Sequence, residues 1–411
     1  MNTPPFSPDE LERLREHGIV IWADRVIFHA QPPLDQVSLA RLAAQCRGPL
    51  PEDLLDLWRH TAGGRLDYDL SLPMDGHREA ISWCELFYDG SDGYHDLSGW
   101  IDHEQEQAQE AAERDGRPWD GKLAVLPIGG FEYCDRIYVV ADRGAGDHGQ
   151  VLAWKMGLPP AWTHALHQDA LATVAPDLKT AFQTLGLERD PLGDDADTGQ
   201  EFLDYLADRQ QQHGLPEALA GKVSDFYRAA VYDWRGPLEA GELAARPHLA
   251  ALALTEAARR DDTGLLRRLA GQGVDLGAPL QGGAGVAHLA LRHQAHGVLD
   301  TLLDLAVPMP AGLLNDLNGP LPTTLVERLL RLPDQATVTA VLRARLHGDP
   351  DNAARIRARL PEPQLATLDE QHRALRASLQ EDLRKVRRGE LGHYLGEDGL
   401  RLWIQRLEDE G

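Results

Sequence analysis

Residues 50–66 read LPEDLLDLWRHTAGGRL and decide how the N-terminal part of the chain folds. Pro51 suits the first position of a helix, and the two carboxylates that follow it favour the positive end of the helix dipole. The apolar side chains recur at the i, i+3, i+4 spacing of a buried helical stripe: Leu54, Leu57 and Trp58. A glycine at position 63 or 64 can take the left-handed conformation that ends a helix. The stretch therefore predicts a helix that turns into a sheet, with no catalytic group.

The flanking sequence alternates between helix and strand patterns. Residues 18–30, GIVIWADRVIFHA, predict a hairpin, and the alternating residues 65–72 predict a half-exposed strand. After a helix that ends at Gly116, three short apolar runs within residues 123–157 predict an antiparallel meander. Residues 169–187 close this half with helix. We therefore expect an α+β domain in which helices flank an antiparallel sheet.

The composition is that of a globular protein with unusual acidity. The 411 residues carry a formal net charge of −24, which argues against binding to nucleic acid or to an anionic membrane and favours a basic partner. The N-terminus lacks the features of a secretory signal, and no apolar run is long enough to span a membrane. The three cysteines, Cys46, Cys84 and Cys134, lack metal-site spacing and indicate a reducing compartment. We expect a cytoplasmic protein.

The C-terminal half contains a repeat with a period of 33 residues. Residues 256–274 align with residues 289–307, so that alanine, glycine, leucine and valine positions coincide. The period and the segment GVAHLAL (285–291) resemble the ankyrin repeat, and residues 325–346 would be a degenerate third copy. Because two or three repeats are too few for stability, helices on either side are expected to cap the stack.

These patterns divide the chain into four parts. Residues 1–187 form the α+β domain, and the acidic, aperiodic residues 188–202 form a linker. Residues 203–320 form a helical region whose ankyrin-like repeats occupy about 250–315, and residues 321–411 form a helical cap.

The densest charge lies in residues 66–110, which hold 12 acidic residues and one basic residue. Like charges crowded together cost stability, so such a block suggests a binding surface, and nearby aromatic side chains could anchor a partner. The expected partner-binding residues are Asp67, Asp69, Asp75, Glu79, Trp83, Glu85, Tyr88, Asp89, Asp92, Tyr94, Asp96, Asp102 and Glu104.

Catalytic motifs do not emerge from the sequence. The glycine-rich residues 282–288 follow no predicted strand, and the repeat explains them as a turn before a helix. His95, Asp96, Asp102 and His103 offer imidazole and carboxylate groups for a divalent metal, so a metal-dependent hydrolase is one alternative. We expect no catalytic residue, no metal site and no cofactor.

The order of motifs in residues 10–187 resembles the SUKH superfamily, which includes yeast cell-wall-synthesis regulators and many bacterial toxin-immunity proteins. The resemblance rests on LPEDLLDLWRHTAGGRL, on ISWCEL, and on LAVLPIGGFEYCDRIYVVADRGAGDHGQVLAWKMG. The matching positions are Leu50, Pro51, Gly63, Gly64, Trp83, Pro127, Ile128, Gly129, Asp135, Gly149, Val151 and Trp154. The chain departs from the pattern where Cys134 replaces a usual glycine and a Phe-Glu-Tyr insertion precedes it.

The resemblance implies a domain that binds other proteins and has no active site. Bacterial members are typically immunity proteins that neutralise a polymorphic toxin, often a nuclease. An acidic surface could occlude the basic active site of such a toxin and speed association. A second alternative is an intracellular scaffold or regulator that uses the same two modules.

Overall fold

A computed structural model describes most of the chain, in eight segments: residues 6–74, 77–91, 95–144, 146–157, 168–192, 199–280, 284–393 and 395–408. Its contacts divide the chain into two compact units. The first takes residues up to Gly157 together with Gln168–Asp233, and the second takes Trp234 and the residues that follow. The expected order, an antiparallel sheet with helices followed by a helical region, is confirmed.

The first unit is built on an eight-stranded antiparallel sheet with the order β1-β2-β3-β6-β7-β8-β9-β10, and β4 and β5 form a separate hairpin. The strands are β1 Ile19–Trp22, β2 Arg25–Phe28, β3 Gly64–Arg65, β4 Leu70–Met74, β5 His77–Ile81, β6 Glu85–Leu86, β7 Val125–Phe131, β8 Asp135–Val140, β9 Val151–Lys155 and β10 Ala170–Ala175. The expected hairpin is β1–β2, and the expected meander is β7–β8–β9. Only the second part of residues 169–187 is helical, because β10 pairs with β9.

The described residues of the first unit also form seven helices: α1 Pro8–Glu16, α2 Gln36–Ala44, α3 Glu52–His60, α4 Leu97–Arg114, α5 Leu178–Thr184, α6 Gln200–Gln212 and α7 Glu217–Val231. Their N-termini are often closed by an aspartate side chain, which accepts an otherwise unmet backbone N–H in the first turn. Asp35, Asp96 and Asp177 do this for α2, α4 and α5.

The corner in residues 50–66 has the expected helix but a different end. The apolar stripe of α3 is buried, as predicted. The helix stops at Thr61, whose backbone is extended, so neither glycine caps it. A Cβ on Gly63 would lie 2.5 Å from the Leu86 carbonyl oxygen, and one on Gly64 would lie 2.8 Å from the Phe28 carbonyl oxygen. The glycine pair is required because β3 runs between two closely spaced neighbours.

A buried carboxylate joins the sheet region to α6. Asp67 accepts the backbone N–H of Gly199 at 2.7 Å and that of Phe202 at 3.0 Å, across 132 residues of sequence in the first case. Burial raises the pKa of Asp67, although the two N–H donors act in the opposite direction. The side chain supplies acceptors that the start of α6 does not have within its own sequence.

Aromatic rings fill the space between the sheet and the last two helices of this unit. The ring of Phe202 lies 5.9 Å from Phe28 and 4.8 Å from Tyr227, and Tyr227 lies 6.0 Å from Tyr68. These contacts place α6 and α7 in the first unit. The sequence placed the end of that domain at residue 187, before both helices.

The second unit is entirely helical within its described residues. Its α-helices are α8 Arg235–Ala240, α9 Pro247–Arg259, α10 Thr263–Gly271, α11 Val286–Arg292, α12 His296–Asp304, α13 Thr323–Leu329, α14 Val338–Leu346, α15 Pro350–Arg357, α16 Glu362–Arg387 and α17 Gly396–Glu408. At the C-terminal end, α14, α16 and α17 share an apolar cluster: Leu346, Leu379, Leu400, Ile404 and Leu407. No described helix is both long enough and apolar enough to cross a membrane.

The repeat in the sequence is also a repeat in the backbone. Both ends of α12 lie 33 residues after the corresponding ends of α10. The turns before these helices each contain a left-handed residue, Asp261 and Gln294, again 33 residues apart. A third turn of this kind, at Gly348, joins α14 to α15, so the third helix pair lies later than residues 325–346. The ankyrin assignment itself stays a prediction.

A carboxylate links the two clear repeats. Asp261 lies before α10 but accepts the backbone N–H groups of Gly297 at 3.1 Å and Val298 at 2.7 Å in α12. The helix α12 has no side-chain cap of its own, because Ala295 occupies its N-cap position. The preceding repeat therefore supplies the cap of the next one.

Replacing Asp67 tests the buried cap of α6. We expect Asp67→Ala to lower the free energy of unfolding by about 2–4 kcal/mol, because two buried N–H groups lose their acceptor. Urea denaturation, with hydrogen exchange at Gly199 and Phe202, measures the effect. Asp102→Ala, at an exposed carboxylate, is the control and should change stability by less than about 0.5 kcal/mol. Equal stabilities of the two variants would contradict the role of Asp67.

The cap between repeats has its own matched pair of variants. Asp261→Gly removes the carboxylate but introduces a residue that tolerates the left-handed backbone. It should lower the free energy of unfolding by about 1 kcal/mol. Asp261→Asn keeps an acceptor and should cost less. Hydrogen exchange at Gly297 and Val298 should accelerate in the glycine variant, and unchanged exchange there would show that the cap has no net effect.

Candidate partner-binding surface

The structure removes three residues from the expected acidic surface. Asp67, Glu79 and Trp83 are only 6%, 7% and 0% exposed, so the expectation that they meet a partner was wrong. Trp83 packs edge-on against Phe182 at 5.3 Å and is a core residue. The alternating pattern of residues 65–72 predicted that one face of the strand is exposed. Such a pattern does not show whether other elements of the fold also cover that face. Three further expected residues, Asp75, Asp92 and Tyr94, lie outside the described residues.

Several of the other carboxylates hold backbone turns. Asp69 accepts the backbone N–H of Glu188 at 2.8 Å. Asp96 is the N-cap of α4 and accepts the N–H of Gly99 at 2.8 Å and that of Gly90 at 3.1 Å. These carboxylates are already hydrogen-bonded within the fold, so only part of the acidic block is available to a partner.

Asp89 is similarly engaged at the start of α4. It accepts the backbone N–H of Ser98 at 3.1 Å and the Ser98 hydroxyl at 2.8 Å, and it pairs with Arg41 at 2.5 Å. Burial would raise the pKa of Asp89, but the bonds from Ser98 and Arg41 outweigh it, so the pKa lies below its usual value. The carboxylate stays ionised, and its contribution to stability is lost only as the pH falls through that lowered pKa.

Glu104 belongs to a buried clamp between α4 and the sheet. Arg136 on β8 lies 3.2 Å from Glu104 and donates from Nε to the Tyr138 hydroxyl at 2.9 Å, and that hydroxyl donates to Glu104 at 2.8 Å. The guanidinium group lies between the rings of Trp100 and Trp154, at 4.5 Å and 4.3 Å from their centres. The clamp holds α4 rigidly against the sheet.

The exposed face of α4 carries a regular acidic stripe. Asp102, Glu106 and Glu110 follow each other at i, i+4 spacing, and all three are exposed. None of them forms an ion pair within the part of the chain that the structure describes. Like charges at this spacing destabilise a helix by about 0.2–0.5 kcal/mol per pair. Only Asp102 was in the expected set, although the regular spacing in the helical segment could have identified the other two.

An aromatic pair at the tip of the β7–β8 hairpin was missed as well. Phe131 and Tyr133 are 45% and 47% exposed. They flank Glu132, which has a left-handed backbone, and they form the insertion relative to the SUKH pattern. Gly130, next to the tip, pairs in register with Arg136, which binds Glu104 of α4. The Arg136–Glu104 pair therefore joins α4 to the hairpin close to its tip.

The remaining expected surface residues, Glu85 and Tyr88, are half-buried. Glu85 lies on β6 and pairs in register with Gly130 of β7. Its position on a short interior strand limits the side chain to one face of the sheet. Glu85 can therefore meet a partner only across that face, and both residues expose only part of their surface.

The two histidines of the proposed metal site lie in an aromatic cluster. The rings of His95 and His103 are 6.0 Å apart, and both contact the edge or face of Trp100, at 4.9 Å and 5.7 Å. Asp96 is occupied by the N-terminus of α4. Within the described residues, no group of three or more histidine, cysteine, aspartate or glutamate side chains is placed to hold a metal ion.

The cysteines are free and spread over the first unit. Burial raises the pKa of the Cys46 thiol to about 11 and that of Cys84 to about 11. Both thiols are therefore protonated near neutral pH, and neither is activated as a nucleophile.

Comparison with protein-family models, with curated proteins and with solved structures gave no match to this chain. The SUKH and ankyrin resemblances therefore stay predictions from the motifs.

Replacing Arg136 tests the clamp beneath α4. Arg136→Gln should lower the free energy of unfolding by about 3 kcal/mol, because the largely buried Glu104 loses its cation. Urea denaturation followed by tryptophan fluorescence measures this loss, and the fluorescence of Trp100 and Trp154 should also change. Arg114→Gln, on the exposed end of the same helix, should change stability by less than about 0.5 kcal/mol. Two variants of equal stability would contradict the clamp.

Proposed function

We propose that this chain is a cytoplasmic immunity protein that binds a cognate bacterial toxin and neutralises it by covering its active site. The toxin would act on nucleic acid or on a nucleotide, because such active sites are basic. The observation that carries the proposal is the acidic stripe of α4, formed by Asp102, Glu106 and Glu110.

The stripe has the properties that a steering surface needs. Its charges repel each other in the free protein, and a basic partner would relieve that repulsion. A rigid acidic helix raises the rate of encounter with a basic surface, most strongly at low ionic strength. The clamp at Arg136 keeps the helix in place, which limits the entropy lost on binding.

The aromatic tip would supply apolar contact to the same partner. Phe131 and Tyr133 would anchor the partner, the role that the sequence assigned to Trp83, Tyr88 and Tyr94. A charged helix and exposed aromatic rings on one unit are the components of an interface with an apolar centre and a charged margin. The helix pairs of the second unit would offer a further binding surface, as stacked repeats do.

Charge reversal on α4 tests the proposal. The product of the gene adjacent to this chain's gene is the partner to purify with it and to use in the binding assay. We expect Asp102→Lys, Glu106→Lys and Glu110→Lys together to slow association at least about tenfold at low salt, with a smaller effect at high salt. Stopped-flow or biosensor kinetics measure the rate constants.

A second triple variant controls for net charge alone. Glu362, Asp369 and Glu370 are exposed on α16 in the second unit, and their replacement by lysine changes the total charge equally. Equal slowing by both triple variants would exclude a specific role of α4. Failure of the neighbouring gene product to bind the wild-type chain would overturn the immunity proposal and leave the scaffold alternative.

A further inference from the structure

A cavity of about 440 Å³ lies in the first unit among the end of α1, the start of β1, the segment after β2 and α6. Its polar lining comes mainly from Arg15, His17, His29, Gln31, Tyr205 and Arg209, and Pro32 and Pro33 form an apolar wall. The volume is within the range of small-molecule sites. The proposed function makes no use of this cavity.

The wall of the cavity is tightly built around Tyr205. Its hydroxyl donates to the His17 carbonyl oxygen at 2.8 Å, and the His29 ring packs 4.3 Å from the tyrosine ring. A Cβ on Gly18 would lie 2.5 Å from the tyrosine oxygen, so this position requires glycine. His29 itself has a left-handed backbone, which is uncommon for a residue other than glycine.

Two arginines in the lining have donors that the protein does not use. Arg15 pairs with Glu12 through Nη1, and Arg209 pairs with Asp208 through Nη2. The Nε atom of each is buried and has no hydrogen-bond acceptor. A buried donor without an acceptor is rare in proteins and calls for an explanation. These Nε atoms are closed to solvent, so a ligand in the cavity would meet each guanidinium group at its other terminal nitrogen, Nη2 of Arg15 and Nη1 of Arg209, for which no ion pair is found among the described residues.

The histidines add charge that depends on pH. Burial lowers the pKa of His17, with Arg209, His213 and Arg13 acting in the same direction and Glu16 acting against them. Burial also lowers the pKa of His29, with Arg65 and Arg209 in the same direction and Glu201 and Asp208 against them. Both imidazoles are therefore neutral at pH 7 without a ligand.

We infer that this cavity binds a small oxyanion, the phosphate or carboxylate group of a metabolite, through Arg15 and Arg209. The anion accepts from the two guanidinium groups, and the proline wall contacts its apolar part. The two acidic residues in the lining, Glu12 and Glu16, are both exposed, so solvent screens their charges more than those of the half-buried arginines. The ligand contacts α1, the segment after β2 and α6 at once, so it stabilises their packing.

An anion in the cavity also favours protonated histidine. Binding raises the pKa values of His17 and His29, and each proton taken up makes the affinity rise as the pH falls. The change approaches tenfold per pH unit for each histidine that is neutral when free and protonated when bound. Acetate suits this measurement, because its own charge stays constant between pH 6 and pH 8.

Thermal unfolding and titration calorimetry of the full chain test the inference, with inorganic phosphate and acetate as probes and sodium chloride at equal ionic strength as the reference. We expect at least one probe to raise the Tm beyond the chloride reference, and acetate to bind more tightly at pH 6 than at pH 8. Preference for phosphate or acetate distinguishes a phosphorylated ligand from a carboxylate ligand. No effect of either anion beyond chloride would overturn the inference.

Variants locate the site. Arg15→Gln and Arg209→Gln should each weaken binding at least tenfold, whereas Arg114→Gln, at an exposed arginine of the same unit outside the lining, should bind as the wild type does. Equal binding by all three variants would overturn the inference. NMR titration of His17 and His29 in the wild-type chain covers the case in which a variant fails to fold. Their pKa values should rise with the anion, and unchanged values would contradict the site.

Discussion

The buried carboxylate of Asp67 fixes the position of α6, and much of the first unit depends on that position. It meets two backbone N–H groups at the start of α6, and the Tyr227 hydroxyl of α7 donates to its carbonyl oxygen at 3.3 Å. Phe202 and Tyr205 then reach the core and the cavity from α6. This end of α6 is buried, so the Asp67 carboxylate takes the place of water as the acceptor. Without it, the two backbone N–H groups would stay without an acceptor.

The high acidity of the chain has two separate uses. Among the described helices, aspartate side chains close the first turns of seven: Asp35, Asp67, Asp96, Asp177, Asp261, Asp262 and Asp349 are the residues concerned. These carboxylates stabilise the fold, and their oxygens already accept backbone N–H groups even where the residue is exposed, as at Asp35 and Asp262. The stripe on α4 differs, because its carboxylates meet no backbone donor and no cation among the described residues. Net charge alone therefore overstates how much acidic surface a partner can meet.

Sequence patterns predicted the elements whose partners are close in the chain, such as the β1–β2 hairpin, the β7–β9 meander and the apolar face of α3. They failed where the contacting residues are far apart in the sequence. The docking of α6 and α7 and the burial of Trp83 depend on residues about 100 or more positions away. The strand β10 is rich in alanine, and its apolar residues follow neither the period of a helix nor that of a strand, so the sequence pattern does not identify it. Of the candidate site, Asp102 was predicted, and its two helical neighbours were not.

The carboxylate of Asp261 gives the helix pairs of the second unit a direction. It precedes α10 yet closes the start of α12, so the later pair relies on the earlier one while α10 has its own cap, Asp262. Loss of α12 would leave the α10 cap intact, whereas loss of the turn before α10 would expose the N–H groups of both helices. Local opening of this array should therefore begin at the later pair and spread toward the earlier one.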